Sequence, residues 1–315
     1  MRATHSLVIP VYRNRETLPE LLAAIVTASE GLRGTLEVVF VIDGSPDDSE
    51  TWLLENLPGY GLPTQLISLS RNFGSFTAIR AGMHAANGDM IAVMAADLQE
   101  SPSVIVDFFN ALDAGNDVAI GTRRTRDDPA FTQWSSQAFW RFYRWLVQPE
   151  MPRNGVDLFA VNRSARDALL SMTESHTSLV AQLLWVGFRR VEVPYDRLRR
   201  RHGRSGWTLR KRVNYLFDSI FAFTDIPISV VTILGLAGTF VFMVLGVGLA
   251  AARIAGWIDV PGYTAIMVTI LFSTSLILLA LGIVGNYVWR AYENTKQRPL
   301  GIVRAQTSFD PRARS

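Results

Sequence analysis

Three oxygen-bearing side chains, Asp97, Gln99 and Glu100, follow directly on the apolar run Met90–Ala96, with Pro102 two residues further on. A run apolar on both faces suits a buried parallel strand. In open α/β sheets, ligands bind just past the carboxyl ends of such strands, so chemistry is expected at this spot. Carboxylate and amide oxygens are hard donors that suit Mg²⁺ or Mn²⁺, ions held by few protein ligands together with bound phosphates. The plain alternative is a helix start after an ordinary strand, a role that Ser101 and Pro102 would also serve. Asp43, in Asp43-Gly44-Ser45-Pro46-Asp47-Asp48, closes an earlier apolar run. Ser45 as N-cap and Pro46 at the first helical position would leave its carboxylate free to meet a ligand.

The elements that must position these groups alternate along the first half of the chain. Strand-like runs at Ser6–Tyr12, Leu36–Asp43, Gln65–Ser70, Met90–Asp97 and Asp117–Arg123 are separated by helix-like stretches at Thr17–Ser29, Asp47–Asn56, Ser75–Ala86 and Ser103–Ala114. Such alternation predicts βαβ units and a parallel sheet with helices on both faces. Neither GxGxxG nor GxxxxGK[ST] occurs, which removes the dinucleotide fingerprint and the P-loop. Arg71-Asn72-Phe73-Gly74 reads as a polar turn or as a phosphate or base contact.

Composition narrows the class further. The 315 residues carry 19% charged side chains and a net charge of +3, with no cysteine and four histidines. Disulfides and thiolate metal sites are therefore excluded, and no HxxxH spacing suggests zinc. The small net charge gives no reason to expect nucleic acid. Mean hydropathy of +0.17 is high for a soluble chain and points to membrane segments. Ile228–Ala252 and Pro261–Trp289 are uncharged and long enough to span a hydrocarbon core of about 30 Å. Eight cations lie within residues 197–212, whereas Arg253 is the only basic residue between the two apolar runs. By the positive-inside rule both termini are expected in the cytoplasm, in a multi-pass protein of the cell (inner) membrane. Phe131–Val147, rich in Phe and Trp among arginines, has the pattern of an interfacial amphipathic helix or of one packed on the sheet.

Val8-Ile9-Pro10-Val11-Tyr12, Asp43-Gly44-Ser45, Arg71-Asn72-Phe73-Gly74, Gly88-Asp89 and Ala96-Asp97-Leu98-Gln99-Glu100-Ser101-Pro102 occur in the order and spacing of the family 2 glycosyltransferases. More narrowly, the chain resembles bacterial polyprenyl-phosphate glycosyltransferases, relatives of dolichyl-phosphate mannose synthase. That resemblance implies an α/β, Rossmann-like GT-A catalytic domain over residues 1–206. It further implies a juxtamembrane amphipathic segment at 207–227, a two-helix transmembrane hairpin at 228–289 and a basic cytoplasmic tail at 290–315.

The resemblance also implies roles. Pro10, Tyr12 and Ala96 would line the nucleotide pocket, Asp43 would meet base or ribose, and Asp89 would support that site. Asp97 and Gln99 would hold the Mg²⁺ or Mn²⁺. Arg123 would lie near the acceptor phosphate, and Asp157, in Gly155-Val156-Asp157-Leu158-Phe159, on the acceptor side. Arg200, Gly203 and Ser205 would close over the diphosphate. The expected donor is a nucleotide-sugar, the acceptor a polyprenyl phosphate at a lipid bilayer, and self-association of such membrane proteins is a further expectation. Two alternatives stay open: transfer to a sugar hydroxyl of a lipid-linked glycan, with Glu174 or Asp157 as base, and a non-catalytic nucleotide-sugar-binding protein. The departures from the pattern are Ile42 and Ala95 where carboxylates are usual, Arg13-Asn14-Arg15 for Asn-Glu-Glu, and Gly206 for a lysine.

Overall fold

The computed structural model describes every residue except 1–3, 125–138, 153–154, 176, 198–208, 256, 258–261 and 312–315. It divides into two units, residues 1–214 with 298–315, and residues 215–297.

The first unit is built on one eight-stranded sheet in the order β7-β5-β6-β4-β1-β2-β3-β8. Its first half follows the expected alternation: β1 (His5–Val11), α1 (Leu18–Ser29), β2 (Leu36–Ile42), α2 (Ser49–Asn56), β3 (Thr64–Leu69), α3 (Ser75–Ala85), β4 (Met90–Val93), α4 (Val104–Asp113) and β5 (Val118–Arg123). A helix at residues 139–146, α5, precedes β6 (Phe159–Asn162), α6 (Arg163–Ser171), α7 (Leu179–Trp185) and β7 (Arg190–Tyr195). β1 pairs in parallel with β2 and β4, and β2 with β3. The sheet is mixed, however, because β6 runs antiparallel to both β4 and β5.

The two-residue period of the strands sorts their side chains onto two faces. Leu7, Ile9 and Val11 of β1 and Val38, Phe40 and Ile42 of β2 join α1 and α4 in one core. Val8 and Val41 point the other way, onto α3, where Gly82 permits the approach: a Cβ there would lie 2.4 Å from Val8 Cγ1. Arg80 of α3 then reaches the carboxyl end of α6, donating to the carbonyls of Leu169 and Leu170 at 3.1 Å each. A cation is well placed at the negative end of a helix.

The segment expected as a basic tail contains a strand, β8 (Val303–Phe309), antiparallel to β3. Arg304 Nη2 binds both carboxylate oxygens of Glu50 at 2.6 Å, and Gln306 Nε2 donates to Gln65 Oε1 at 2.8 Å. Residues 298–309 thus belong with the sheet. α2 also starts later than expected. Asp48 stands at its N-cap position, and Ser45 instead donates to Asp47 Oδ1 at 2.5 Å.

The second unit holds most of α8 (Leu209–Phe223), with α9 (Ile226–Ile254) and α10 (Tyr263–Thr295). Arg290 Nη2 of α10 donates to Asp218 Oδ1 of α8 at 2.7 Å, and Tyr287 meets Phe221 edge-on. Among the described residues, one helical stretch, Phe272–Thr295, is alone long and apolar enough to cross a membrane. A second is reached only if the bent pair Asn214–Phe223 and Ile226–Gly238, which turns through 73°, counts as one span.

Candidate active site

The carboxyl ends of β1 to β5 and β7 open on one edge of the sheet, since β6 reverses direction twice over. That edge collects Tyr12, Asp43, Asp97, Arg123 and Tyr195. Asp157 joins them from the start of the antiparallel β6, two residues before Phe159, which pairs with Val93 and Ile120.

Past β4 the chain turns through Leu98, whose φ of 53° is left-handed. Such a backbone is uncommon for a bulky residue and is a conformation often met at functional sites. It brings Asp97 Oδ1 back to within 3.3 Å of Gln99 N, so carboxylate and amide share one turn. Both side chains are half-buried. This pair of hard oxygens fits a Mg²⁺ or Mn²⁺ whose remaining positions are taken by phosphates and water. Among the described residues no cluster of three or more Asp, Glu, His or Cys could hold an ion alone. A protein shell that is only partial matches Ala95 standing in place of a second carboxylate.

Glu100, next in the chain, is 3% exposed, and its Oε2 has no hydrogen-bond partner. Burial, with the charges of Asp97 and Asp157 adding to it, pushes its carboxyl up to about 7 against the pull of Arg197 and Arg123. Arg197 Nη2 donates to Gln99 Oε1 at 2.6 Å. Glu100 stands in the sequence as the third oxygen-bearing side chain after the strand, with no role of its own, and Arg197 is one of many arginines in its stretch.

Arg123 Nε donates to Asp157 Oδ2 at 2.7 Å, and Tyr195 hydroxyl donates to the same oxygen at 3.1 Å. Burial works against the Arg123 charge, but Asp157 and Tyr195 outweigh it and hold the guanidinium above its ordinary value. Burial and the Asp157 charge likewise raise the Tyr195 phenol, so it serves as a donor. The two residues expected to act separately on the acceptor side are one ion pair.

On the nucleotide side, Pro10 lies past the last β1–β4 pair, Val8 with Val93, where a missing N–H costs no ladder bond to β4. Tyr12 is exposed, and Arg13, left-handed at φ 58°, stacks its guanidinium 5.4 Å from the Tyr12 ring. Three expectations need correction here. Asp43 is not a free carboxylate: it is 3% exposed and accepts Phe73 N at 2.7 Å and Gly74 N at 2.9 Å, so it secures the 71–74 turn. Burial raises its carboxyl, with those two N–H groups and Arg71 opposing. Ala96 is 2% exposed and its carbonyl takes the Thr17 hydroxyl at 2.6 Å, which leaves it packing rather than lining a pocket. Asp89 precedes β4, at the opposite edge of the sheet, where it pairs with Arg163 at 2.5 Å. Eight residues of extended chain separate it from Asp97, too far for one site. Arg200 and Ser205, with Gly203, lie outside the described residues. Glu174 accepts from Gln182 Nε2 at 2.8 Å, its charge facing Arg80.

Residues 6–170 match the sequence profile of glycosyl transferase family 2. An uncharacterized glycosyltransferase of Synechocystis sp. is 31% identical over 95% of this chain and 94% of its own length. An undecaprenyl-phosphate 4-deoxy-4-formamido-L-arabinose transferase of Pseudomonas syringae is 32% identical over 93% of this chain and 88% of its own. Among solved structures, the chain is similar to glucosyl-3-phosphoglycerate synthase from Mycobacterium tuberculosis in complex with Mn²⁺, UDP and glucosyl-3-phosphoglycerate. There the TM-score is 0.49 and the identity 17%, over 74% of this chain and 79% of that one.

Proposed function

This chain belongs to glycosyl transferase family 2 and is a glycosyltransferase, and from that premise we propose that it moves a sugar from a nucleotide-sugar to a polyprenyl phosphate at the cytoplasmic face of a membrane. The observation that carries the reading is the Arg123–Asp157–Tyr195 group standing on the same sheet edge as Asp97 and Gln99. One end of that edge suits a donor diphosphate, and the other an anionic acceptor. The relative of Pseudomonas syringae, named for undecaprenyl phosphate, supports the same acceptor class.

In this reading a phosphate oxygen of the lipid forms the new bond to the anomeric carbon from the face opposite the leaving group. The bond from that carbon to the diphosphate breaks, and its electron pair leaves on the nucleoside diphosphate. Asp97 and Gln99 would hold Mg²⁺ or Mn²⁺, whose chemistry is to neutralise charge on that leaving diphosphate. Arg123 holds the acceptor phosphate, and Asp157 with Tyr195 fixes the direction of the guanidinium. A phosphate with a second pKa of about 6 is ionised at neutral pH and requires little help from a base. That suits a site in which Asp157 is tied to Arg123 and Glu174 to Gln182, and it weighs against a sugar hydroxyl as acceptor.

The same reading places a helical hairpin in the bilayer, with a boundary between catalytic and membrane parts near residue 207. Because β8 lies in the sheet with β1 to β7, the chain that leaves this unit after residue 214 returns to it by residue 298. A membrane protein so connected crosses an even number of times. α10 supplies one apolar span, and α9, at 29 residues, supplies the other. At about 1.5 Å per residue it exceeds the thickness of a hydrocarbon core. The direct test incubates purified protein with a panel of nucleotide-sugars and undecaprenyl phosphate and weighs the extracted lipid. A mass gain of one sugar supports the reading, and none with any donor removes it.

A further inference from the structure

The guanidinium of Arg197 occupies a position that the donor site itself must contest. Arg197 Nη2 donates at 2.6 Å to Gln99 Oε1, the oxygen that would face a cation shared with Asp97. Its backbone is fixed there by an isolated antiparallel bridge between Glu100 and Arg197. Its Nε lies 3.7 Å from Glu100 Oε1, beyond hydrogen-bond length, and both Nε and Glu100 Oε2 are buried without a hydrogen-bond partner. The arginine is therefore tethered close to the turn by its main chain but only partly satisfied by its side-chain partners. Unsatisfied buried donors cost free energy, so a better anion would be favoured over these partners.

Charge decides the consequence. Ala95 removes the second carboxylate, so Asp97 is the acidic member of the pair that would hold the ion. A divalent cation entering without donor would meet a guanidinium bound to the same amide oxygen. A nucleoside diphosphate brings further negative charge, and phosphate oxygens are strong bidentate acceptors for a guanidinium. We propose that Arg197 is a positioning residue that holds Gln99 while the donor site is empty and transfers to the diphosphate on donor binding, so that cation and nucleoside diphosphate enter as a coupled pair. This rests on the glycosyltransferase reading of the site and adds to it a coupling between cation and nucleotide and the residue that enforces it.

The test is Mn²⁺ binding, followed by the electron paramagnetic resonance signal of free Mn²⁺, on full-length protein alone and with UDP or GDP. In the wild type, Mn²⁺ is expected to bind at least about tenfold more tightly with the nucleoside diphosphate than without it. Reciprocity requires that nucleotide affinity rise by the same factor with Mn²⁺. The double variant Arg197→Ala with Glu100→Gln, which avoids stranding a buried charge, should bind Mn²⁺ alone several-fold more tightly than wild type and lose most of the coupling. Arg197→Lys, which keeps the charge, should stay near wild type. Equal Mn²⁺ affinity with and without nucleotide in the wild type overturns the proposal with no need of any variant. So does a folded double variant whose Mn²⁺ affinity is unchanged or weaker. Either failure leaves sugar transfer intact, whereas absence of any UDP or GDP binding removes the donor reading and this proposal together.

Discussion

Arg123 Nε and Asp157 Oδ2 lie 2.7 Å apart, and the Arg123 side chain is only 10% exposed. A basic residue suited to an anionic acceptor and an acidic residue suited to general-base work are thus a single unit. The same Asp157 oxygen also accepts the Tyr195 hydroxyl at 3.1 Å, so it is committed to two donors. In the proposed reaction Asp157 would act through Arg123.

The kinetic consequence is specific. Arg123→Ala should chiefly raise KM for polyprenyl phosphate, by roughly 10- to 150-fold if one charged contact is worth about 1.5–3 kcal/mol. Asp157→Asn should retain measurable turnover above pH 7, and the double variant should be little worse than Arg123→Ala alone. Steady-state kinetics on the four proteins reads this directly. A dead Asp157→Asn beside an active Arg123→Ala would restore Asp157 as a base.

Asp97→Asn should abolish nearly all turnover while circular dichroism stays that of the wild type. Ala95→Asp should keep activity or tighten Mn²⁺ binding by supplying the missing carboxylate. Full turnover of Asp97→Asn in EDTA would remove the cation from the mechanism.

Glu100 predicts a pH dependence of stability whose sign is opposite to that of an ordinary ion-paired carboxylate. Its carboxyl sits at about 7 in the fold against 4.5 in the unfolded chain, so the folded state binds the extra proton between those values. Its contribution is therefore fully present below about pH 4.5 and is lost as pH rises through about 7, a change on the order of 3 kcal/mol. The raised carboxyl of Asp43 adds a slope of the same sign. In EDTA, urea midpoints measured from pH 4.5 to 8 should fall with pH, and Glu100→Gln should flatten part of that fall. An unchanged slope in Glu100→Gln would mean the buried carboxyl is not responsible.

Gly44 and the 71–74 turn form a second place where one atom matters. Gly44 has a φ of 57°, and a Cβ there would lie 2.4 Å from both Arg71 C and Asn72 N. Gly44→Ala should lower Tm by several degrees and weaken nucleotide binding, since the turn that Asp43 secures would be displaced. Normal stability and donor affinity in that variant would show the turn to be more yielding than its packing indicates.

What could be read from the sequence follows the strength of the local signals. β1 to β5 and α1 to α4 were visible because continuous apolar runs alternate with amphipathic ones. The Asp97-Leu98-Gln99 turn was visible because a strand ends there on hard oxygens. β8 was hidden: Val303-Arg304-Ala305-Gln306-Thr307-Ser308-Phe309 is largely polar and exposed along a sheet edge, and its pairing with β3 spans most of the chain. Asp89 was misplaced although strand direction alone sets a residue before β4 and a residue after it at opposite edges. Asp43 looked free because its partners are backbone N–H groups of a distant turn, which no residue type announces. Arg197 was lost among its neighbours, since only the bridge to Glu100 singles it out.

The even crossing of the membrane is also testable. A reporter fused after Ser315 should be cytoplasmic, and one inserted between Ile258 and Pro261 should be external. The same compartment for both would remove the hairpin.

The most direct measurement of the proposed reaction compares acceptors side by side, at one protein concentration and with whichever nucleotide-sugar is consumed. Undecaprenyl phosphate should gain one sugar mass with stoichiometric release of nucleoside diphosphate, while dephosphorylated undecaprenol stays inert above and below pH 7. Transfer to a neutral glycolipid at a rate matching undecaprenyl phosphate, together with a dead Glu174→Gln or Asp157→Asn, would contradict the phosphate acceptor and favour a sugar hydroxyl in its place.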